Sequence, residues 1–178
     1  MSQARRGYQR SAGGLVGAIL ASLLVIAFVW GLTQLQDREP VDPARTVDYA
    51  AVLQEARRQA PFDVLAPTPE PAGWRATSVE WQGAGPENAW SLGGLTEEGE
   101  YVGLKQGNAT SRDFVAEGTP ADQPGDPVAV DGEEWRTLTS GDGEEIALVR
   151  AGGDVTTIVT GTAPLGYLLE FAGTLRAR

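Results

Sequence analysis

The chain has 178 residues and a formal net charge of −10 at pH 7, and it contains neither cysteine nor histidine. The absence of cysteine excludes a disulfide-stapled scaffold and thiol chemistry, and the absence of histidine excludes a Ser-His-Asp triad, a histidine general base and a His-ligated zinc site. Any catalysis would have to rely on carboxylates, on Ser with Lys, on Tyr or on Arg.

The N-terminal part of the chain carries a long uncharged segment between Arg10 and Asp37. A helix that rises about 1.5 Å per residue needs roughly 20 apolar residues to cross a bilayer core, and the run LVGAILASLLVIAFVWGL meets that requirement. We therefore predict a basic tail over residues 1–10, a transmembrane helix over 11–35 and a stalk over 36–45. The alternatives are a cleaved signal peptide, whose apolar region would be shorter and end at a small-x-small site, and a buried core helix.

The flanks of this segment predict its orientation. Arg5, Arg6 and Arg10 precede it without an acidic residue, which places the N-terminus in the cytoplasm, and Trp30 near the other end suits the headgroup layer. We expect a single-pass plasma membrane protein whose residues 46–178 form an extracytoplasmic domain. Residues 37–178 hold 11 basic and 24 acidic residues, a net charge of −13, which argues against nucleic-acid binding because phosphate contacts need a basic face.

The first half of the outer domain predicts a helix followed by a three-strand meander. Apolar residues recur at helical spacing over residues 47–60, Thr46 or Asp48 can cap the start, and Pro61 marks the end. Alternating patterns separated by turn-forming residues then predict strands over 74–82, 89–96 and 100–106. A connecting region with a short helix over 111–116 follows.

The second half predicts a four-strand meander and a closing helix. Turn signals at Asp131-Gly132, Asp142-Gly143 and Gly152-Gly153 separate strands over 126–130, 134–140, 145–151 and 155–160. An apolar stripe that follows Pro164 predicts a helix over 164–177. We therefore expect an α+β fold, in which a mostly antiparallel sheet of six to seven strands has one face covered by two helices.

The order of several short motifs resembles a known group of proteins. After the Arg-flanked apolar run come VDP, PFDVLAP, GWRATSV, GEYVGLKQ, DGEEWRTL and VTGTAP. Over roughly residues 11–176 the chain resembles the uncharacterised single-pass membrane proteins of high-GC Gram-positive bacteria that share an extracytoplasmic domain of unknown function. The resemblance implies membrane attachment and an outer domain without an assigned activity, and it supplies no catalytic residues.

Candidate binding residues in the outer domain are four tryptophans that lie in or beside predicted strands. Exposed rings of Trp74, Trp81, Trp90 and Trp135 would stack on sugars, whereas tryptophans in a sheet more often pack in the core. Acids near the Asp142-Gly143 turn offer oxygen ligands for Ca²⁺, but turn formation is the commoner role of such residues. We predict no metal and no cofactor.

The function predicted from these observations is that of a non-enzymatic binding or interaction module in the cell envelope. Its predicted partners are the lipid bilayer, through the N-terminal helix, and an envelope protein or cell-wall glycan. The alternatives are a histidine-independent envelope enzyme that acts on glycan or peptide, and a structural spacer.

Overall fold

The computed structural model describes residues 45–83, 87–109 and 111–177. The predicted tail, transmembrane helix and nearly all of the stalk therefore lie outside the described residues. Among the residues that are described, no helix combines the length and the apolar character needed to cross a membrane.

Three helices and ten strands make up the described part of the chain. The helices are α1 (Ala50–Gln59), α2 (Ser111–Gly118) and α3 (Leu165–Gly173). The strands are β1 (Ala66–Pro67), β2 (Arg75–Gln82), β3 (Ala89–Leu95), β4 (Tyr101–Gly107), β5 (Gln123–Pro124), β6 (Val128–Val130), β7 (Glu133–Thr139), β8 (Ile146–Gly152), β9 (Val155–Gly161) and β10 (Leu175–Arg176).

The strands form one antiparallel sheet of eight strands and a separate two-stranded ladder. The large sheet has the order β2-β3-β4-β9-β8-β7-β5, and β6 pairs with the same edge of β7 as β5 does. Pairing of β4 with β9 joins the two meanders side by side. The predicted α+β class with an antiparallel sheet is confirmed, and the extra strand is the two-residue β5, which is too short to show a periodic pattern.

The turn signals place the hairpins correctly. Asp131 and Gly132 both adopt positive φ angles, 51° and 83°, as the two central residues of a type I′ turn require. Asp142 accepts hydrogen bonds from the Ser140 hydroxyl (2.5 Å) and from the Glu144 backbone N–H (3.1 Å). This acid therefore forms the turn, which is the commoner of the two roles considered for it.

Helices cover both faces of the sheet, whereas the sequence predicted cover on one face only. Helices α1 and α3 pack with the larger core, around Trp90, Leu104 and Phe171. Helix α2 packs on the opposite face against Ile158 and Val149. The central strands β8 and β9 are consequently buried at consecutive positions, the pattern of strands that are enclosed from both sides.

The closing helix ends earlier than the apolar stripe predicts. Helix α3 stops at Gly173, and β10 then pairs antiparallel with β1. Thr174 terminates the helix because its hydroxyl bonds to the Phe171 carbonyl (2.7 Å), while its own carbonyl accepts the Thr68 N–H (2.8 Å). Leu175 is buried in this ladder and not on a helix, so the prediction of a helix to residue 177 was wrong.

Helix α1 begins three residues later than predicted. The Val47 N–H donates to the carbonyl of Ala76 in β2 (2.8 Å), which holds this residue against the sheet. The Asp48 carboxylate then accepts the Ala50 N–H (3.0 Å). The N-cap residue is Tyr49, which makes no side-chain capping bond, so Asp48 is not the N-cap itself but satisfies a free donor at the start of the helix from one position earlier.

Candidate functional site

An open cleft of about 810 Å³ lies on the face of the sheet that carries α1 and α3. One wall is the segment 61–65 that follows α1, and the other is formed by β7, β8 and the start of β9. Its polar lining comprises Asp63, Gln106, Glu133, Glu134, Arg150, Asp154 and Thr157, and its apolar lining includes Phe62, Leu65 and Val155. We refer to this surface as the cleft.

Gln106 ties the wall of the cleft to the sheet. Its side chain is only 2% exposed, and its Oε1 accepts the Leu65 N–H at 2.7 Å. Its Nε2 lies 3.4 Å from the Asp63 carbonyl and 3.3 Å from the Thr157 hydroxyl. Because every polar atom of this buried amide has a partner, the segment 61–65 is fixed against the sheet and the cleft is preformed.

Arg150 lies at the inner end of the cleft between a carboxylate and an aromatic ring. Its guanidinium forms an ion pair with Glu133, and its Cζ lies 5.0 Å from the centroid of the Trp135 ring, within the range of a cation–π contact. Partial burial lowers the pKa of Arg150, but an arginine remains charged at any physiological pH. The guanidinium is therefore held in place and largely neutralised by its neighbours.

A smaller recess of about 200 Å³ continues beyond Arg150. Trp135 and Leu175 line it together with Asp131. Within the part of the protein that the structure describes, the buried indole Nε1 of Trp135 has no hydrogen-bond partner. A buried donor without an acceptor costs free energy, so the folded domain leaves one polar atom of a residue in this recess unsatisfied.

The cleft is acidic overall. Four carboxylates line it (Asp63, Glu133, Glu134 and Asp154) against the single guanidinium of Arg150. All four acidic residues are exposed. Across the described ranges, no group of three or more His, Cys, Asp or Glu is arranged to hold a metal ion. The carboxylates are therefore distributed along the cleft, and their chemistry is that of separate hydrogen-bond acceptors and negative charges.

One sequence family matches nearly the whole chain. The match covers residues 7–175, and the family is described as a protein of unknown function (DUF4245). The chain belongs to the DUF4245 family. No curated protein matches the chain, nor does any solved structure. An uncharacterised family agrees with the resemblance found in the sequence, while the membrane attachment and the bacterial group that it implied remain predictions.

The four tryptophans proposed as candidates occupy two kinds of position in this DUF4245 domain. Trp74, Trp90 and Trp135 are at most 4% exposed and belong to the core, so their rings are covered by protein. Trp81 is half-buried; it packs edge-on against Phe62 with a centroid distance of 6.4 Å and donates to Gln59 (3.0 Å). The topology residues Arg5, Arg6, Arg10 and Trp30 lie outside the described residues.

Sequence reasoning did not identify the residues that form the cleft. Gln106 does carry a local signal, because it follows Val102 and Leu104 on the buried side of β4, where a polar residue needs partners. Arg150 likewise shares a side of β8 with Ile146 and Leu148. Neither pattern indicates that Glu133 and Asp63 approach these residues, because those contacts depend on how the strands pair.

Proposed function

We propose that this protein is a non-enzymatic binding module of the cell envelope, held at the plasma membrane by a helix over residues 11–35. In this proposal the N-terminus is cytoplasmic, the domain over residues 46–178 lies outside, and the cleft binds a basic segment of another envelope protein. The observation that carries the proposal is the cleft itself, a preformed groove with four carboxylates and one guanidinium that is already paired.

Charge favours a cationic partner. With Arg150 neutralised by Glu133, three exposed carboxylates remain for a ligand. Exposed charges are screened over about 8 Å at physiological ionic strength, so the attraction acts mainly on groups inside the cleft. Complementary charge of this kind speeds association and selects the partner, while the fixed wall at Leu65 avoids the cost of ordering the cleft on binding.

The other functions considered are weaker matches to this geometry. A glycan would need an open aromatic face, and Trp81 offers only part of one because Phe62 and Gln59 contact it. Catalysis by paired carboxylates would need two acids that face each other across the scissile bond, and one of the four acids, Glu133, is already paired with Arg150. A spacer would have no need of a groove with a buried amide in its wall.

A direct test measures binding of a synthetic peptide to the full-length protein in mild detergent. A peptide of alternating Lys and Ser should bind, and a matched peptide of Gln and Ser should not. The double variant Asp63→Asn/Asp154→Asn should weaken binding about two- to thirtyfold, since each of the two exposed ion pairs contributes about 0.2–1 kcal/mol. Higher salt should weaken binding to the unmodified protein and reduce this difference.

The matched control removes two equally exposed acids elsewhere. Glu97 and Glu98 lie in the β3–β4 turn, away from the cleft, so Glu97→Gln/Glu98→Gln should leave the affinity within about twofold if the cleft is the site. Equal weakening by both double variants would attribute binding to the overall negative charge and refute the assignment to the cleft. Binding of neutral glycan fragments that is lost in Phe62→Ala would favour the glycan function instead.

A further inference from the structure

A second polar pocket lies on the opposite face of the sheet, beside the C-terminal end of α2. It measures about 410 Å³, and its polar lining comprises Tyr101, Lys105, Glu117, Thr119, Glu145 and Thr160. None of these residues lines the cleft. Since the eight-stranded sheet separates the two, a ligand in this pocket would not occupy the cleft.

Glu145 is held in position by two buried hydroxyls. Its Oε1 accepts from Thr119 at 2.9 Å and from Thr160 at 2.7 Å, and these threonines are 7% and 2% exposed. Each hydroxyl has one proton to donate, and both protons can be used by the same carboxylate oxygen. This arrangement fixes the carboxylate and leaves Oε2 available, because within the described ranges no hydrogen bond to that atom occurs.

Lys105 lines the same pocket and forms no ion pair with another described residue. It is the only lysine of the chain. Its stem runs beneath α2, since a Cβ added at Gly118 would lie 3.7 Å from the Lys105 Cδ. A half-buried lysine and a fixed carboxylate thus line one pocket without pairing with each other.

Tyr101 adds a neutral hydrogen-bonding group to the pocket. Its ring lies over two glycines in neighbouring strands: a Cβ added at Gly103 would lie 2.4 Å from the Tyr101 Oη, and one at Gly93 would lie 2.8 Å from it. The two missing side chains therefore make room for the ring on the sheet. Burial, with a smaller effect of Glu145, raises the pKa of Tyr101, so that its hydroxyl keeps its proton.

We propose that this pocket binds a small zwitterion of the amino-acid class, with the ligand ammonium on Glu145 and the ligand carboxylate on Lys105. The two protein charges then each receive the partner that they lack in the folded domain, and the Tyr101 hydroxyl can hydrogen-bond to the ligand. The site is independent of the function proposed for the cleft. The proposed binding mode requires both charges of the ligand, because a ligand with one charge would leave either Glu145 or Lys105 without a counter-ion.

The experiment is calorimetric titration of the full-length protein in mild detergent with glycine, alanine and glutamate. The controls are N-acetylglycine, which lacks the ammonium, and glycinamide, which lacks the carboxylate. At least one free amino acid should bind, and its singly charged analogues should bind about tenfold more weakly or not at all, as expected when one charge-assisted hydrogen bond is lost. No binding of any of the three at about 10 mM, where even a millimolar Kd is detected, would overturn the proposal.

Two variants locate the site. Lys105→Gln and Glu145→Gln should each weaken binding about tenfold, whereas Arg112→Gln and Glu144→Gln, which remove the same charges from exposed neighbouring positions, should leave binding unchanged. Lys105→Arg should restore part of the affinity. Tryptophan fluorescence will show whether Glu145→Gln unfolds the domain. If it does, the affinity of Lys105→Gln and the binding of N-acetylglycine and glycinamide to the unmodified protein test the proposal. Unchanged affinity in Lys105→Gln would refute the site.

Discussion

Replacing Gln106 by methionine should loosen the wall of the cleft while keeping the core filled. The two side chains have similar lengths, so the substitution removes hydrogen bonds more than volume. It leaves the Leu65 N–H, now bonded at 2.7 Å, without an acceptor. It also removes the longer contacts to the Asp63 carbonyl and the Thr157 hydroxyl.

The expected cost follows from these three contacts. An unsatisfied N–H costs about 1–3 kcal/mol, and each of the two longer hydrogen bonds contributes about 0.5 kcal/mol. Burying the more apolar methionine returns about 1 kcal/mol. The free energy of unfolding should therefore fall by about 1–3 kcal/mol, which at about 3 °C per kcal/mol lowers Tm by about 3–9 °C.

The control is the same substitution at an exposed position. Gln82 lies on the solvent side of β2, and its amide donates to the exposed Glu80 (2.8 Å), so Gln82→Met should change stability by less than about 0.5 kcal/mol. Thermal unfolding followed by tryptophan fluorescence compares the two variants. Hydrogen exchange should also accelerate at Leu65 in Gln106→Met only. Equal Tm values together with unchanged exchange at Leu65 would refute the role given to this amide.

Two further predictions concern backbone packing and topology. Gly161→Ala should destabilise the domain by more than about 3 kcal/mol, because the added Cβ would lie 2.0 Å from the Tyr101 carbonyl oxygen. Gly166→Ala should instead stabilise the domain by about 0.5–1 kcal/mol, because Gly166 lies on an open face of α3. Thermal melts that rank the two variants alike would contradict this. Protease added to intact, wall-stripped cells should digest residues 37–178 if the membrane orientation is correct, and protection of that segment would disprove it.

Under the two proposals, the two faces of the sheet bind different kinds of ligand. The cleft is wide, acidic and open, as suits a segment of another macromolecule, whereas the pocket beside α2 is smaller and carries charges of both signs. Strands β4 and β9 contribute residues to both sites, with side chains of alternate positions pointing to opposite faces. Gln106 and Lys105 illustrate this directly, because they are adjacent in β4 and line different sites.

Local sequence was sufficient for the features whose stabilising contacts lie nearby along the chain. Alternation over seven or eight residues located β2, β3 and β4, and the Asp131-Gly132 pair located a hairpin because its positive φ angles are a property of those two residues. The uncharged run over residues 11–36 likewise defines a hydrophobic segment from composition alone. Helical spacing located α1, although its first turn is displaced by the bond from Val47 to the sheet.

The short strands and the two sites depend instead on contacts between segments that are distant in the sequence. The two-residue strands β1, β5 and β10 have no periodicity of their own, and they exist because partners distant in sequence accept and donate their hydrogen bonds. The sites arise in the same way: Leu65 and Gln106 are 41 positions apart, and Thr119 and Glu145 are 26 apart. A pattern of a few residues specifies which side of a strand is buried, but only strand order and register determine which distant side chains meet there.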